Sequence, residues 1–236
     1  MEFLGRKLRH ELKFYIHPRE YVMLRNRVSA LLPIDGNSGD REGYGIRSLY
    51  YDGPHDHALY DKNDGIFSRE KYRIRIYNGS DRVIKLERKS KFGEYVSKEA
   101  ATMNRSQYDR LLAGDLEPFQ RSEISLMKEF AHAVTSRGFR PVAIVDYTRE
   151  AYTYDAGEVR ITFDKKLSGS VNSSDLFDPG LALSEALEPT RTILEIKYNA
   201  FLPDMIRVLA QPSDAVRSTI SKYVLCRELG KLHYRR

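Results

Sequence analysis

Residues 69–99 read R-E-K-Y-R-I-R-I-Y-N-G-S-D-R-V-I-K-L-E-R-K-S-K-F-G-E-Y-V-S-K-E. Arg69, Lys71, Arg73 and Arg75 share one parity, and Tyr72, Ile74 and Ile76 share the other. Beyond Asn78-Gly79 the alternation resumes, with Lys85, Glu87 and Lys89 on one face and Ile84 and Leu86 on the opposite one. A period of two is the signature of a strand, and Asn-Gly between two such runs marks a hairpin. Phe92-Gly93 turns the chain into a third strand, 94–101, where Glu94, Val96 and Lys98 share a face. Neighbouring strands therefore present arginine and lysine on a common side and aliphatic groups on the other. Cations crowded on one face repel each other unless that face is solvated or meets a polyanion. The planar fork of arginine suits phosphate oxygens.

The rest of the chain decides between those two settings. It has 236 residues, room for one sizeable core or two small ones. With 39 Lys+Arg against 33 Asp+Glu, the net charge is +6. That is a mild bias toward anionic partners and not the charge of a nucleic-acid coat. Sixteen tyrosines and no tryptophan fit a strand-rich protein. Cys226 is the only cysteine, which excludes an internal disulfide and points to a reducing, cytoplasmic setting. The N-terminal M-E-F-L-G-R-K-L-R-H-E has no apolar leader core. No apolar run approaches the roughly 20 residues of a membrane helix. A soluble protein is expected, with peripheral attachment through a separate membrane partner left open.

Residues 8–16 alternate, setting Arg9, Glu11, Lys13 and Tyr15 against His10, Leu12, Phe14 and Ile16. Pro18 opens an amphipathic helix to about Leu32, with Tyr21, Leu24, Val28, Leu31 and Leu32 as its apolar stripe. Further strands are expected at 44–52, 142–154, 158–166 and 191–199. The facing of the first is ambiguous, because Arg47 shares parity with Leu49 and Tyr51. In the others Arg149 follows Val145 and Tyr147, Arg160 alternates with Ile161, and Glu195 and Lys197 oppose Leu194 and Ile196. Asn104 with Gln107 has the form of a capping box and starts a helix to about Ala113. More helices are expected at 121–137, 202–211 and 213–229, the last two burying Met205, Ile206, Leu209, Val216, Ile220, Val224 and Leu225. His55 and His57, among Asp52, Asp56 and Asp61, lack the i, i+4 spacing of a helical ligand pair and are not expected to hold a metal. No repeat or clean linker divides the chain, so residues 1–236 read as one domain.

Eight strands joined partly by tight hairpins, with helices whose apolar stripes need covering, give an α+β fold turned inside out. The apolar faces lie outward beneath helices, and the charged faces enclose a mainly antiparallel eight-stranded barrel. Strand parity puts Lys13, Arg73, Arg75, Lys85, Lys89, Lys98, Arg149, Arg160 and Lys197 inside, with Glu11, Glu87 and Glu195 as the acidic minority. Unpaired buried charge is disfavoured, and a phosphate chain with a carboxylate-held divalent metal would relieve it.

The chain resembles the VTC domain family of polyphosphate polymerases, among the triphosphate tunnel metalloenzymes. The resemblance rests on R-H-E-L-K-F, K-Y-R-I-R-I-Y, I-K-L-E-R-K, Y-T-R-E-A-Y, V-R-I-T-F-D, I-L-E-I-K-Y and S-K-Y-V, in that order. It implies transfer of the terminal phosphate of ATP to a growing inorganic polyphosphate chain, with Mn²⁺ or Mg²⁺. It further implies phosphate contacts from Lys13, Arg73, Arg75, Lys89, Lys98, Arg149 and Arg160. Glu195 would be a metal ligand with Lys197 beside it, and Ser221 and Lys222 would reach phosphate from a terminal helix. Lys85 and Glu87 join the set on strand parity, Glu87 with Glu11 as further candidate metal carboxylates. Two departures stand out. Arg9 occupies the place of the first acid in the Glu-x-Glu-x-Lys signature of sibling hydrolases and cyclases, and Thr219 replaces a family lysine. The alternatives are a triphosphate hydrolase of the same fold and a non-catalytic polyphosphate or nucleotide sensor. A basic sheet binding RNA is disfavoured, because most tyrosines lie opposite the cations.

Overall fold

The computed structural model describes residues 2–3, 6–38, 42–171, 173–213 and 216–233. Its eight long strands are Arg9–Ile16 (β1), Tyr44–Asp52 (β2), Ser68–Tyr77 (β3), Ser80–Phe92 (β4), Tyr95–Met103 (β5), Arg140–Tyr154 (β6), Val159–Ser170 (β7) and Thr192–Tyr198 (β8). The helices are Pro18–Leu31 (α1), His57–Asn63 (α2), Arg105–Leu112 (α3), Glu117–Gln120 (α4), Ser125–Arg137 (α5), Asp204–Ala210 (α6) and Lys222–His233 (α7). The long strands pair antiparallel in the order β7-β8-β1-β5-β4-β3-β2-β6, and β6 pairs with β7 to close the ring. The fold is thus α+β, a closed antiparallel barrel with helices packed on its outside.

The hairpin that decides the sequence reading forms as expected. Asn78 and Gly79 both take positive φ, 52° and 65°, as the tight turn between β3 and β4 requires. The Asn104 capping box at the start of α3 is also present.

Two apolar layers lie outside the barrel. Ile74, Ile76, Leu86 and Met103 of β3–β5 pack beneath Tyr108 of α3, Phe119 of α4 and Phe130 of α5. On the other flank Ile161, Phe163, Leu194 and Ile196 of β7 and β8 pack beneath Leu24 and Val28 of α1 and Ile206 of α6. The ambiguous strand β2 resolves in the same sense: Leu49 and Tyr51 join the outer layer. Ser48 and Tyr50 turn inward toward Arg75 and Arg73.

The bore is not charged throughout. Ile46 and Tyr50 of β2, Val145 and Tyr147 of β6 and Ile193 of β8 cluster with Ile220, Tyr223, Val224 and Cys226. The start of α7 therefore fills one end of the barrel. The approach is close enough that a Cβ on Gly169 of β7 would lie 2.7 Å from the Cys226 Cβ.

The C-terminal region departs from the expected helix over 213–229. Residues 214–215 of that stretch lie outside the described residues; helix α7 begins only at Lys222, and Arg217 and Ser218 run along β1. Strand β1 pairs with β5 only at Arg9 and His10. Farther along, its edge is taken by Arg217, which bridges Phe14, and by Ser218, whose N–H donates to the Lys13 carbonyl at 2.9 Å. Satisfying those backbone groups outweighs the local helical pattern. Val216, expected in the core, is accordingly 81% exposed. Met205 and Leu31 also point outward, and the helix expected over 121–137 begins only at Ser125, as α5, with the short α4 preceding it.

Among the described residues no helix is long and apolar enough to cross a membrane.

Candidate functional site: a cationic chamber

The part of the bore that α7 leaves open is a chamber of about 620 Å³. Its lining includes fourteen Lys and Arg side chains against four Glu, with Tyr50, Tyr147, Tyr198 and Tyr223 among them. Such an excess of one charge in a concave, partly dry space is an anion site by electrostatics alone.

Three buried groups of carboxylates organise the inner cations. Glu87, 0% exposed, lies behind the chamber wall. It is 2.7 Å from Arg73, 2.5 Å from Lys98 and 3.9 Å from Arg75. Arg73 also donates to the Tyr50 hydroxyl at 2.8 Å, and Arg75 to Ser48 Oγ at 3.0 Å. On β7, Asp164 takes both forks of Arg149 at 2.6 and 2.7 Å, an alignment set by the Arg149↔Asp164 register. Lys222, entering from the start of α7, reaches Asp164 at 2.6 Å and Glu195 at 2.8 Å. Glu195 also meets Lys197 at 2.8 Å and Lys13 at 3.5 Å, and Glu11 meets Lys89 at 2.7 Å. At the rim Arg160 pairs with Asp35 at 2.7 Å and donates to the Tyr44 hydroxyl at 2.8 Å.

Thus Lys13, Arg73, Arg75, Lys89, Lys98, Arg149, Arg160, Glu11, Glu195 and Lys197 are brought together on the lining, with Ser221 and Lys222. Ser221 Oγ also accepts the Val224 N–H, holding the first turn of α7 against the chamber. Two positions differ from expectation. Lys85 has the right parity but does not line the chamber; it pairs with Arg75 at the far end of the hairpin register. Glu87 is sealed beneath three cations, where it is placed as a counterion and not at the chamber surface. The candidate set read from the sequence leaves out Asp164 and Lys91, and also Arg69 and Lys71 despite their shared parity with Arg73; the last three line the chamber. Only the fold shows that Lys222 comes to Asp164.

The charges perturb one another. Burial would raise the carboxylates, yet Lys89, Lys13 and Lys197 hold Glu11 well below its ordinary value. Glu195 is held low in the same way by Lys197, Lys222 and Lys13, and Glu87 by Arg73, Arg75 and Lys98. Burial pulls lysines the other way. Lys71 and Lys89 drop to about 7 and Lys98 to about 8, each reinforced by neighbouring cations. Lys222 runs against burial and is raised, because Asp164 and Glu195 embrace it.

A pH dependence follows. A bound polyanion returns these ammonium groups toward their ordinary pKa, so the complex is protonated where the free chamber is not. Below about pH 7 the lysines are already charged and affinity is full. As pH rises through 7 to 8, binding must take up protons. Long-chain polyphosphate affinity is expected to fall across that range, by at most about tenfold per pH unit for each lysine. Titration calorimetry in buffers of different ionisation enthalpy reads the proton uptake directly. An affinity and enthalpy indifferent to pH and buffer would refute it.

Among the described residues there is no group of three or more His, Cys, Asp or Glu that could hold a metal by itself. Glu195 and Glu11 instead offer carboxylates on the wall of a cationic chamber. That fits Mg²⁺ or Mn²⁺, which are commonly held by one or two carboxylates with substrate phosphates completing the shell.

A family model described as "VTC domain" matches residues 8–230. No curated protein matches the chain significantly. Among solved structures, a Pyrococcus horikoshii OT3 protein is similar with a TM-score of 0.52 at 13% identity, covering 92% of this chain and 99% of that one. A candidate adenylate cyclase from Vibrio parahaemolyticus is similar with a TM-score of 0.51 at 12% identity, covering 93% of this chain and 98% of that one. At these identities the likeness establishes the fold.

Proposed function

The chain belongs to the VTC domain family, and on that premise we propose that it transfers the terminal phosphate of ATP to an inorganic polyphosphate chain inside the cationic chamber. The observation that carries the reading is the chamber itself, whose Lys and Arg outnumber its Glu by fourteen to four. Phosphoryl transfer asks little covalent chemistry of a protein. It asks for positioning and for fixed positive charge where the transferring group gathers negative charge.

The residues divide that work. Arg73, Arg75 and Lys98, fixed in place by Glu87, hold phosphate oxygens on one wall. Arg149 and Lys222, locked by Asp164, face them with Lys197 and Lys13. Lys89 and Arg160 extend the cationic surface on either side. Because these groups are preoriented by buried partners, little reorganisation is needed as charge develops. Glu195, with Glu11 near, would hold a Mg²⁺ or Mn²⁺ ion, which would supply positive charge against the phosphates. Ser221 and Lys222 couple the start of α7 to an occupied chamber. We place the protein as a single VTC domain acting on ATP and polyphosphate.

Purified protein given ATP and Mn²⁺ is expected to make polymer resolved as a ladder on a gel. Release of orthophosphate without polymer would replace this reading with triphosphate hydrolysis. Binding without either product would replace it with a sensor.

A further inference from the structure

The cations of the chamber fall into two groups by how they are balanced. The inner ones share buried carboxylates, as set out above. Arg69, Lys71 and Lys91 line the same chamber but meet no carboxylate within ion-pair distance among the described residues. Among the described residues Arg69 donates to the backbone carbonyls of Asp61 and Ile66, at 3.2 and 3.3 Å. Lys71 lies over the ring of Tyr223, 4.5 Å from its centre.

Their placement makes the imbalance costly. Arg69 stands directly opposite Lys91 across β3 and β4, and Lys71 directly opposite Lys89. Lys89 in turn stands opposite Lys98 across β4 and β5. Like charges facing each other on adjacent strands are destabilising. The one complementary pair in this series is Arg73 with Glu87, deeper in the chamber. The row leads from that paired zone along β3 and β4 toward the hairpin at Gly93.

We propose that Arg69, Lys71 and Lys91 form a second anion subsite that holds the acceptor phosphate chain, separate from the inner pocket that holds the triphosphate. The inference rests on the phosphoryl-transfer reading above and names the part of the chamber that chain would occupy. A linear polyanion supplies the missing counter-charge to all three cations at once. A compact triphosphate engaged by Arg73, Arg149 and Lys222 leaves them unbalanced. A hydrolase of triphosphates has no use for such a row, whereas an enzyme that elongates a chain must hold it.

The test is equilibrium binding in EDTA, with tripolyphosphate and with a long-chain polyphosphate, on a variant carrying Arg69→Gln, Lys71→Gln and Lys91→Gln. The long chain is expected to lose at least about tenfold in affinity, with a salt dependence shallower by about two log units per log unit. Tripolyphosphate is expected to change less than about twofold. Equal losses for both ligands, or no loss for either, would overturn the inference. So would tighter parental binding of single-stranded RNA than of polyphosphate at equal charge. Removing facing like charges is expected to leave the melting temperature unchanged or higher. Should the triple variant nevertheless fold poorly, Lys91→Gln alone is expected to show the same selectivity at smaller amplitude. No turnover is involved, so absence of polymer from ATP would strike the transfer reading and leave this binding result standing.

Discussion

Glu195→Gln is expected to abolish phosphoryl transfer while leaving the chamber able to bind anions. The substitution keeps size and one acceptor oxygen and removes a single negative charge. That charge lies 2.8 Å from both Lys197 and Lys222 and 3.5 Å from Lys13 and Arg149. On the proposed reading it is also the carboxylate that would hold a hard divalent ion. Loss of one preorganised electrostatic group at a reacting centre costs on the order of 10²–10³-fold in turnover. Binding of tripolyphosphate in EDTA should be equal or tighter, because the variant chamber is more positive. Steady-state transfer and calorimetry on the same preparation separate the two effects. Turnover within a few-fold of the parent would remove Glu195 from the reacting centre. Weaker anion binding would show that its main task is to order the surrounding lysines.

The second large effect is structural. Glu87→Gln should leave Arg73, Arg75 and Lys98 gathered around a neutral amide with no access to water at its position. Breaking a buried ion pair from one side costs about 3–5 kcal/mol. For a chain of this size that corresponds to a fall of about 10 °C in melting temperature. Tripolyphosphate should restore much of the loss, since it binds only the folded state and returns counter-charge to the same cations. Glu117→Gln provides the contrast. Glu117 pairs with Arg110 and Arg121 on the exposed surface of α4, where ion pairs contribute at most about 1 kcal/mol. If the two variants melt alike, Glu87 does not organise the wall.

These expectations depend on features that the sequence discloses unevenly. Alternation between Arg69 and Ile76, with Asn78-Gly79 after it, was enough to orient β3 and β4 and to infer the inverted barrel. It could do so because parity is a local property of a pleated chain. Parity says which side a residue takes but not how far along the bore it lies. That is why Lys85 is grouped with Lys89, and why Glu87 counts among the candidate metal carboxylates of the bore. The pairing of Lys222 with Asp164 joins residues from α7 and β7, and no spacing rule anticipates it. The stretch 213–221 misled for a related reason. Its apolar residues fit a helix, but the bare edge of β1 competes for its backbone, and that edge is invisible until β5 is seen to diverge. The apolar filling of one end of the bore was missed with it, since both follow from where α7 enters.

The extended segment along β1 also orders events in time. Lys13 donates to the carbonyl of Ile220, a partner 207 positions away. On the ribosome the first long strand emerges early and waits through the synthesis of every other stave before its flank is covered. Contacts of such long range form slowly, so ring completion should be among the last steps of maturation. Until then the unfinished polypeptide offers a naked strand edge to its neighbours, a hazard for which nascent-chain chaperones would be the natural remedy.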